Sequence, residues 1–207
     1  LDRDGRLPFP VVIDLYRLTS DAEHGYDYPI HYRGQLITTN FPYEARTKQL
    51  EPMGSAHGYE HIWKEASART DSSVLLTWLD GNRYYSVRTA GSPGTEVLFG
   101  RTGANDPSFN LISEPMMIIR RRAADHVFAS VIEPHGYFNE AQERSEQARP
   151  RLTGIRVIGH NAEGTVAEVT GSWGLSWTVM VANGTSAPSA RHRLTFGGRT
   201  YEWIGNH

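Results

Sequence analysis

The chain has no cysteine in its 207 residues. That absence removes disulfides, thiolate metal sites and cysteine nucleophiles together. It also lacks an excess of charge of either sign. Its 21 Lys and Arg stand against 23 Asp and Glu, for a formal net charge of -2. A nucleic-acid binder normally carries a basic excess, so no nucleic-acid partner is expected. No apolar run approaches the roughly 20 residues of a membrane-spanning helix, so no membrane partner is expected. Gly-rich phosphate loops, a Gly-x-Ser-x-Gly elbow and His-x-His metal pairs are missing from the sequence too. The opening residues Leu1-Asp2-Arg3-Asp4-Gly5-Arg6 do not read as a signal peptide, and no initiator Met precedes them. The expectation is a mature chain, a processed fragment or an excised domain.

What is present has a β texture. Short runs of β-branched and aromatic residues recur between turn signals. Strands are expected over residues 11–18, 34–39, 59–65, 74–79, 84–88, 95–99, 116–121, 126–132, 152–160, 165–170, 175–182, 191–196 and 200–204. Asp80-Gly81-Asn82 and Gly197-Gly198 suit tight hairpins, because Gly accepts positive φ. Trp177, Val179 and Val181 fall on one face of their strand, as do Tyr201 and Trp203. So many short strands exceed one comfortable sheet. The expected fold is all-β, an antiparallel two-sheet β-sandwich forming one domain over residues 1–207. Residues 139–148 favour helix but carry no apolar stripe, so a solvated loop with at most a helical turn is expected.

Candidate functional residues concentrate first in residues 24–32, with His24, Tyr26, Tyr28, His31 and Tyr32 around Asp27. Imidazole, phenol and carboxylate bind sugars and move protons near neutral pH. Pro29 suggests a loop leading into a strand. That loop would be either a hydrogen-bonded structural element or a rim touching substrate or a companion domain. In His57-Gly58-Tyr59-Glu60-His61, Gly58 argues against a helix presenting two histidines to a metal. As a strand, Tyr59, His61 and Trp63 would share a face, either a sugar-stacking surface or an interior aromatic layer. The polar loop of residues 100–111 carries Arg101, Asn105 and Asn110, which suit a carboxylate or hydroxyls unless the loop folds on itself. Glu133 and His135 could form an acid/base pair. Arg120-Arg121-Arg122 reads as a surface strand end or an anion-contacting patch.

Several of these segments together resemble a known family. Val12-Ile-Asp-Leu-Tyr-Arg-Leu18 is followed by His24-x-Tyr26-Asp27-x-x-x-His31-Tyr32-x-Gly34. Gly58-Tyr-Glu-His-Ile-Trp63, Gly103-Ala-Asn-Asp-Pro-Ser-Phe-Asn-Leu111 with Glu114-Pro115, and Ser130-Val-Ile-Glu-Pro-His-Gly136 come after in order. The set resembles the C-terminal part of the heparinase II/III-like polysaccharide lyases, nearest to the oligoalginate lyases of polysaccharide lyase family 17.

The resemblance implies an α/α toroid joined to C-terminal antiparallel sheets. It implies β-elimination on uronic-acid glycans: a carboxylate is neutralised, a base takes the C5 proton, and an acid protonates the leaving O4. Tyr, His, Asn and Arg fill these roles in the family, and a Tyr base needs cationic surroundings because its ordinary pKa is about 10. The family's metal site, a His-x-His pair with a later Asp and His, and its principal Tyr and His are expected upstream of the matching region. No cofactor is therefore expected on this chain, and no catalytic residue is assigned to it.

The expected partners are a helical toroid domain of the same protein and an acidic oligosaccharide such as alginate. The expected location is periplasmic or secreted. His24, Tyr26, His31, His61, Arg101, Asn105 and Asn110 are the candidate substrate or interface contacts. The competing readings are an independent carbohydrate-binding β-sandwich module and a small stand-alone β-fold lyase.

Overall fold

A computed structural model describes residues 6–46, 48–104, 113–185 and 187–207. Its strands are β1 (Val12–His31), β2 (Gln35–Thr39), β3 (Glu44–Ala45), β4 (Glu51–Pro52), β5 (Ile62–Thr70), β6 (Val74–Asp80), β7 (Arg83–Thr89), β8 (Thr95–Thr102), β9 (Pro115–Asn139), β10 (Arg144–Glu146), β11 (Leu152–His160), β12 (Gly164–Gly171), β13 (Ser176–Ala182), β14 (Arg191–Phe196) and β15 (Arg199–Ile204). The remaining ordered elements are short 3-10 turns, and no α-helix occurs among the described residues. The all-β expectation holds.

The organising element is the antiparallel ribbon of β1 and β9. Along residues 116–132 of β9, β1 holds one edge while β8 and then β7 pair with the other. Beyond β8 lie β5 and β3, and beyond β7 lie β6 and β2. The ribbon is not straight. Between the pairs Thr19–Asp125 and His24–Ala123, four residues of β1 stand against Ala124 alone, which makes a large bulge. Asp14 and Tyr28 lie on either side of it, 14 residues apart, yet the Tyr28 hydroxyl donates to Asp14 Oδ2 at 2.5 Å. A straight strand would hold them about 46 Å apart. The ribbon therefore folds back on itself at the bulge and carries the sheet with it.

The result is a sandwich made largely from one folded sheet. Tyr28, Ile30, Val97, Phe99, Met117 and Ile119 from one half face Val74, Leu76, Trp78, Val87 and Phe128 from the other. Ring contacts cross the fold: Tyr28 stacks on Phe128 at 5.2 Å, and Tyr32 tilts against Trp78 at 5.7 Å. A second layer, the sheet β11-β12-β13, covers the outer face of β9. There Val127, Ala129 and Val131 meet Leu152, Ile155, Val169 and Leu175. The β14–β15 hairpin closes the far side, with Leu194, Tyr201 and Trp203 on Val166. Trp177 and Val179 face the large sheet as their alternation requires.

Local chemistry accounts for the turns. Gly197 and Gly198 both take positive φ, 58° and 78°, in the two-residue turn between Phe196 and Arg199. Residues 140–142 form one 3-10 turn, capped by the Asn139 side chain accepting from Gln142 N at 3.2 Å.

Three expectations need correction. Residues 24–31 are strand rather than loop. Pro29 is tolerated because β1 is an edge strand that pairs with β9 alone, so no second neighbour needs its missing N–H. Residues 59–61 are a 3-10 turn, and strand starts only at Ile62. The strands expected at 116–121 and 126–132 are one strand, β9, so Arg120-Arg121-Arg122 lies mid-strand and not at a strand end.

If the Asp14–Tyr28 bond locks the bend, Tyr28→Phe leaves a carboxylate without its donor and should lower stability by about 2 kcal/mol. A lower urea midpoint at unchanged slope is the expected readout. A midpoint equal to that of the unmodified chain would mean the bend is held by apolar packing alone.

Candidate functional site

The strand geometry separates residues that the sequence groups. His24 and His31 share β1, and seven residues of extended strand put them about 23 Å apart. His24 is exposed at the bend, beside a shallow depression lined by Thr19, Ser20, Asp21 and Ala22. Tyr26 stands close to the same bend. Its hydroxyl is 2.6 Å from Ser20 Oγ and 3.3 Å from Ala124 O, so its polar atom serves the bulge.

The opposite end of the same half-sheet collects the others. His31 is exposed across from Met116. Arg33 pairs with Glu114 at 3.0 Å. Arg101 lies opposite Trp63, and its Nε donates to Glu65 at 2.8 Å. His61 Nδ1 donates to Ala104 O at 3.2 Å, and the Ala104 N–H returns to His61 O at 3.0 Å. Asn105 and Asn110 lie outside the described residues, in the segment that leaves from Ala104. Tyr32 is buried here against Trp78. Burial pushes its phenol pKa up and Glu65 adds to this, with Arg101 partly offsetting. His61 does not share a strand face with Tyr59 and Trp63. Backbone at positive φ in His57 (64°) and Gly58 (89°) turns the chain into the 3-10 turn instead.

A cluster the sequence did not reveal sits on the outer face. Arg120 grips both oxygens of Asp27, each at 2.7 Å, and the Tyr59 hydroxyl donates to the same carboxylate. Glu96 stands 3.8 Å from Arg120. Asp27 holds the Arg120 guanidinium firmly protonated. Burial, then the bond to Asp27, pushes the Tyr59 phenol up. Asp27 and Arg120 are direct cross-strand partners 93 residues apart, so only the β1–β9 register could have paired them. Arg122 likewise pairs with Glu23 at 2.9 Å. The arginine run is therefore largely consumed by ion pairs along β1.

Glu133 and His135 are both buried, and both act as structural pins. The Glu133 carboxylate accepts the backbone N–H groups of Arg151 and Leu152 at 2.8 Å. His135 Nδ1 must donate to the Gln147 carbonyl at 3.1 Å. Its Nε2 therefore accepts from Ser86 at 2.8 Å, and Ser86 in turn accepts from Thr77 at 2.7 Å. Together they pin residues 147–152 to β9, and burial lowers the His135 pKa. A second histidine of this kind is His126, which meets Phe128 edge-on at 4.6 Å. Burial, with Arg121 and His160 nearby, lowers its pKa to about 4.

Chemically, these arrangements bind and brace. The tyrosines with displaced pKa values, Tyr28, Tyr32 and Tyr59, are all displaced upward, Tyr28 to about 12 by burial and Asp14. That is the wrong direction for a phenolate base. Among the described residues no three His, Asp or Glu side chains converge to hold a metal ion. The sequence has no His-x-His pair, so these residues do not supply the ligand set that the family resemblance implies upstream.

The described residues thus define an antiparallel β-sandwich with a polar end. Over 204 residues the chain is 36% identical to an alginate lyase of Stenotrophomonas maltophilia (strain K279a), covering 97% of this chain and 27% of that protein. Over 207 residues it is 30% identical to an exo-oligoalginate lyase of Saccharophagus degradans, covering 96% of this chain and 27% of that protein. The chain is a homologue of one segment of alginate lyases, consistent with their C-terminal domain, as its sequence motifs suggest. It spans about a quarter of the length of these curated relatives. No family model matches it.

Two desolvated histidines, buried His135 and half-buried His126, make stability pH-dependent. Denatured histidine takes up its proton near pH 6.5, whereas native His126 does so only near 4. In between, the native state binds fewer protons, so stability is full above about pH 6.5 and falls as pH drops toward about 4. The urea midpoint should decline over that window, and His126→Phe should flatten the decline without abolishing it, because His135 remains. A midpoint independent of pH in the unmodified chain would show that these imidazoles are not held neutral.

Proposed function

We propose that the chain is the β-sandwich part of a lyase that cleaves alginate by β-elimination, packing on a helical toroid domain and lining one side of its substrate cleft. The observation that carries this is the match of nearly the whole chain to about a quarter of each of two alginate lyases. A companion role is supported by the state of the ionisable groups. Glu133, His135, Asp27 and Arg120 are committed to structure, and the displaced tyrosines are shifted away from base function. Proton abstraction at C5 and protonation of O4 then belong to the rest of the assembly.

Two surfaces suit the two contacts. Leu7, Phe9, Val11, Trp177, Val179 and Met180 line an apolar groove of about 690 Å³ beside β13, whose outer edge pairs with no strand among the described residues. These side chains are only half-buried, and the apolar surface they leave open to water favours burial against another element; the occupant we assign is the helical domain. The end bearing His31, His61 and Arg101 would meet the acidic oligosaccharide. The Arg101 side chain is 40% exposed, which leaves room for a uronate carboxylate to approach its terminal nitrogens. A polysaccharide substrate favours a location in the periplasm or outside the cell.

The chain alone should show no rise in ultraviolet absorbance from unsaturated uronate when mixed with alginate oligomers. Grafted in place of the homologous segment of the Stenotrophomonas enzyme, it should support turnover. Clear turnover by the isolated chain, or a folded chimera without activity, would overturn the reading.

A further inference from the structure

Trp173 is the most exposed large apolar side chain among the described residues, at 68%. Its backbone is in the left-handed region, φ 58° and ψ 32°, which a bulky side chain rarely adopts and which stores strain. The turn that holds it is firmly mounted. Ser172 N donates to Arg151 O at 2.8 Å, Gly171 N to Leu175 O at 2.8 Å, and an Arg6 Nη to Trp173 O at 3.3 Å. Leu175 anchors the turn in the core beside Leu152. A strained backbone thus holds an indole out into water, with no apolar neighbour in the core clusters.

The surroundings are cationic. The Arg151 guanidinium lies over the indole, 5.2 Å from its centroid. It donates to neutral oxygens, the Arg6 carbonyl and Gln147 Oε1. Exposed Arg149 precedes Arg151 by two positions in the sequence. Among the described residues no carboxylate lies within ion-pair distance of Arg149 or Arg151. Glu133 is buried beneath this segment and turned to its backbone N–H groups.

We infer that Trp173, with Arg151, is an auxiliary binding site for an acidic pyranose, separate from the polar end that carries His31, His61 and Arg101. The C–H bonds on a sugar's apolar face point partial positive charge at the indole's negative face. A planar guanidinium matches a uronate carboxylate. The ligand class rests on the alginate reading above, whereas the site itself rests on this geometry.

The test is calorimetric titration of the chain with oligomannuronate and with a neutral β-glucan oligomer of matched length. The acidic oligomer should bind, more weakly as salt is raised, and the neutral one should bind less well. Trp173→Gly should weaken acidic binding by about tenfold or more. Its urea midpoint should stay the same or rise, because Gly relieves the left-handed backbone. Trp173→Phe should keep part of the affinity. Equal binding of the neutral oligomer, indifference to Trp173→Gly, or no binding at millimolar ligand would each overturn the site. The chimera's turnover does not require this site. An active chimera with no binding at Trp173 removes only the site, whereas an inactive chimera removes the lyase reading on which its ligand was chosen.

Discussion

The bend in the β1–β9 ribbon, bridged by the Tyr28–Asp14 hydrogen bond, is the constraint on which the rest of the molecule depends. It turns one long sheet into two facing halves and so creates the main core. Without it Tyr28 could not stack on Phe128, nor Tyr32 reach Trp78. Burying a phenol in that core is tolerable only because its hydroxyl finds a partner, and a carboxylate acceptor makes the bond strong. Burial, and then the same pairing, raises the Tyr28 pKa to about 12, so the residue that closes the fold is removed from proton chemistry.

The bend also decides what the surface can present. It carries His24 and Tyr26 to one end and leaves His31, Arg101 and His61 at the other. Each face of β9 is used. Along its second half, one face points into the folded sheet and the other carries Val127, Val131, Glu133 and His135 toward the three-stranded layer. Polar groups in that position must be satisfied by the chain itself. Glu133 and His135 meet the requirement by binding residues 147–152, which in turn support Arg151 under Trp173. A buried pin on one side of the strand thus ends in an exposed aromatic on the surface.

Much of the fold is legible in the sequence. The strands at 152–160 and 191–196 coincide with β11 and β14, because period-2 alternation and the flanking turn residues both act within a few positions. The Gly197-Gly198 turn is readable for the same reason. The candidate site is less so. His24 and His31 look like one cluster when Pro29 is taken to break the strand, but an edge strand has no second neighbour to miss the N–H. Tyr59, Asp27 and Arg120 carry no common motif and meet only through register. Trp173 sits outside every predicted strand, in a turn whose strain no residue type announces.

By itself, then, the sequence determined the all-β class, most strand positions, the absence of thiol chemistry and the kinship with alginate lyases, since composition, alternation and short motifs are local properties of the chain. The tertiary structure alone decided where the ribbon bends, which charges pair across β1 and β9, and which polar residues are buried as pins and which face solvent. Those depend on contacts between residues far apart in the chain, and their energies come from desolvation and packing that no local window contains.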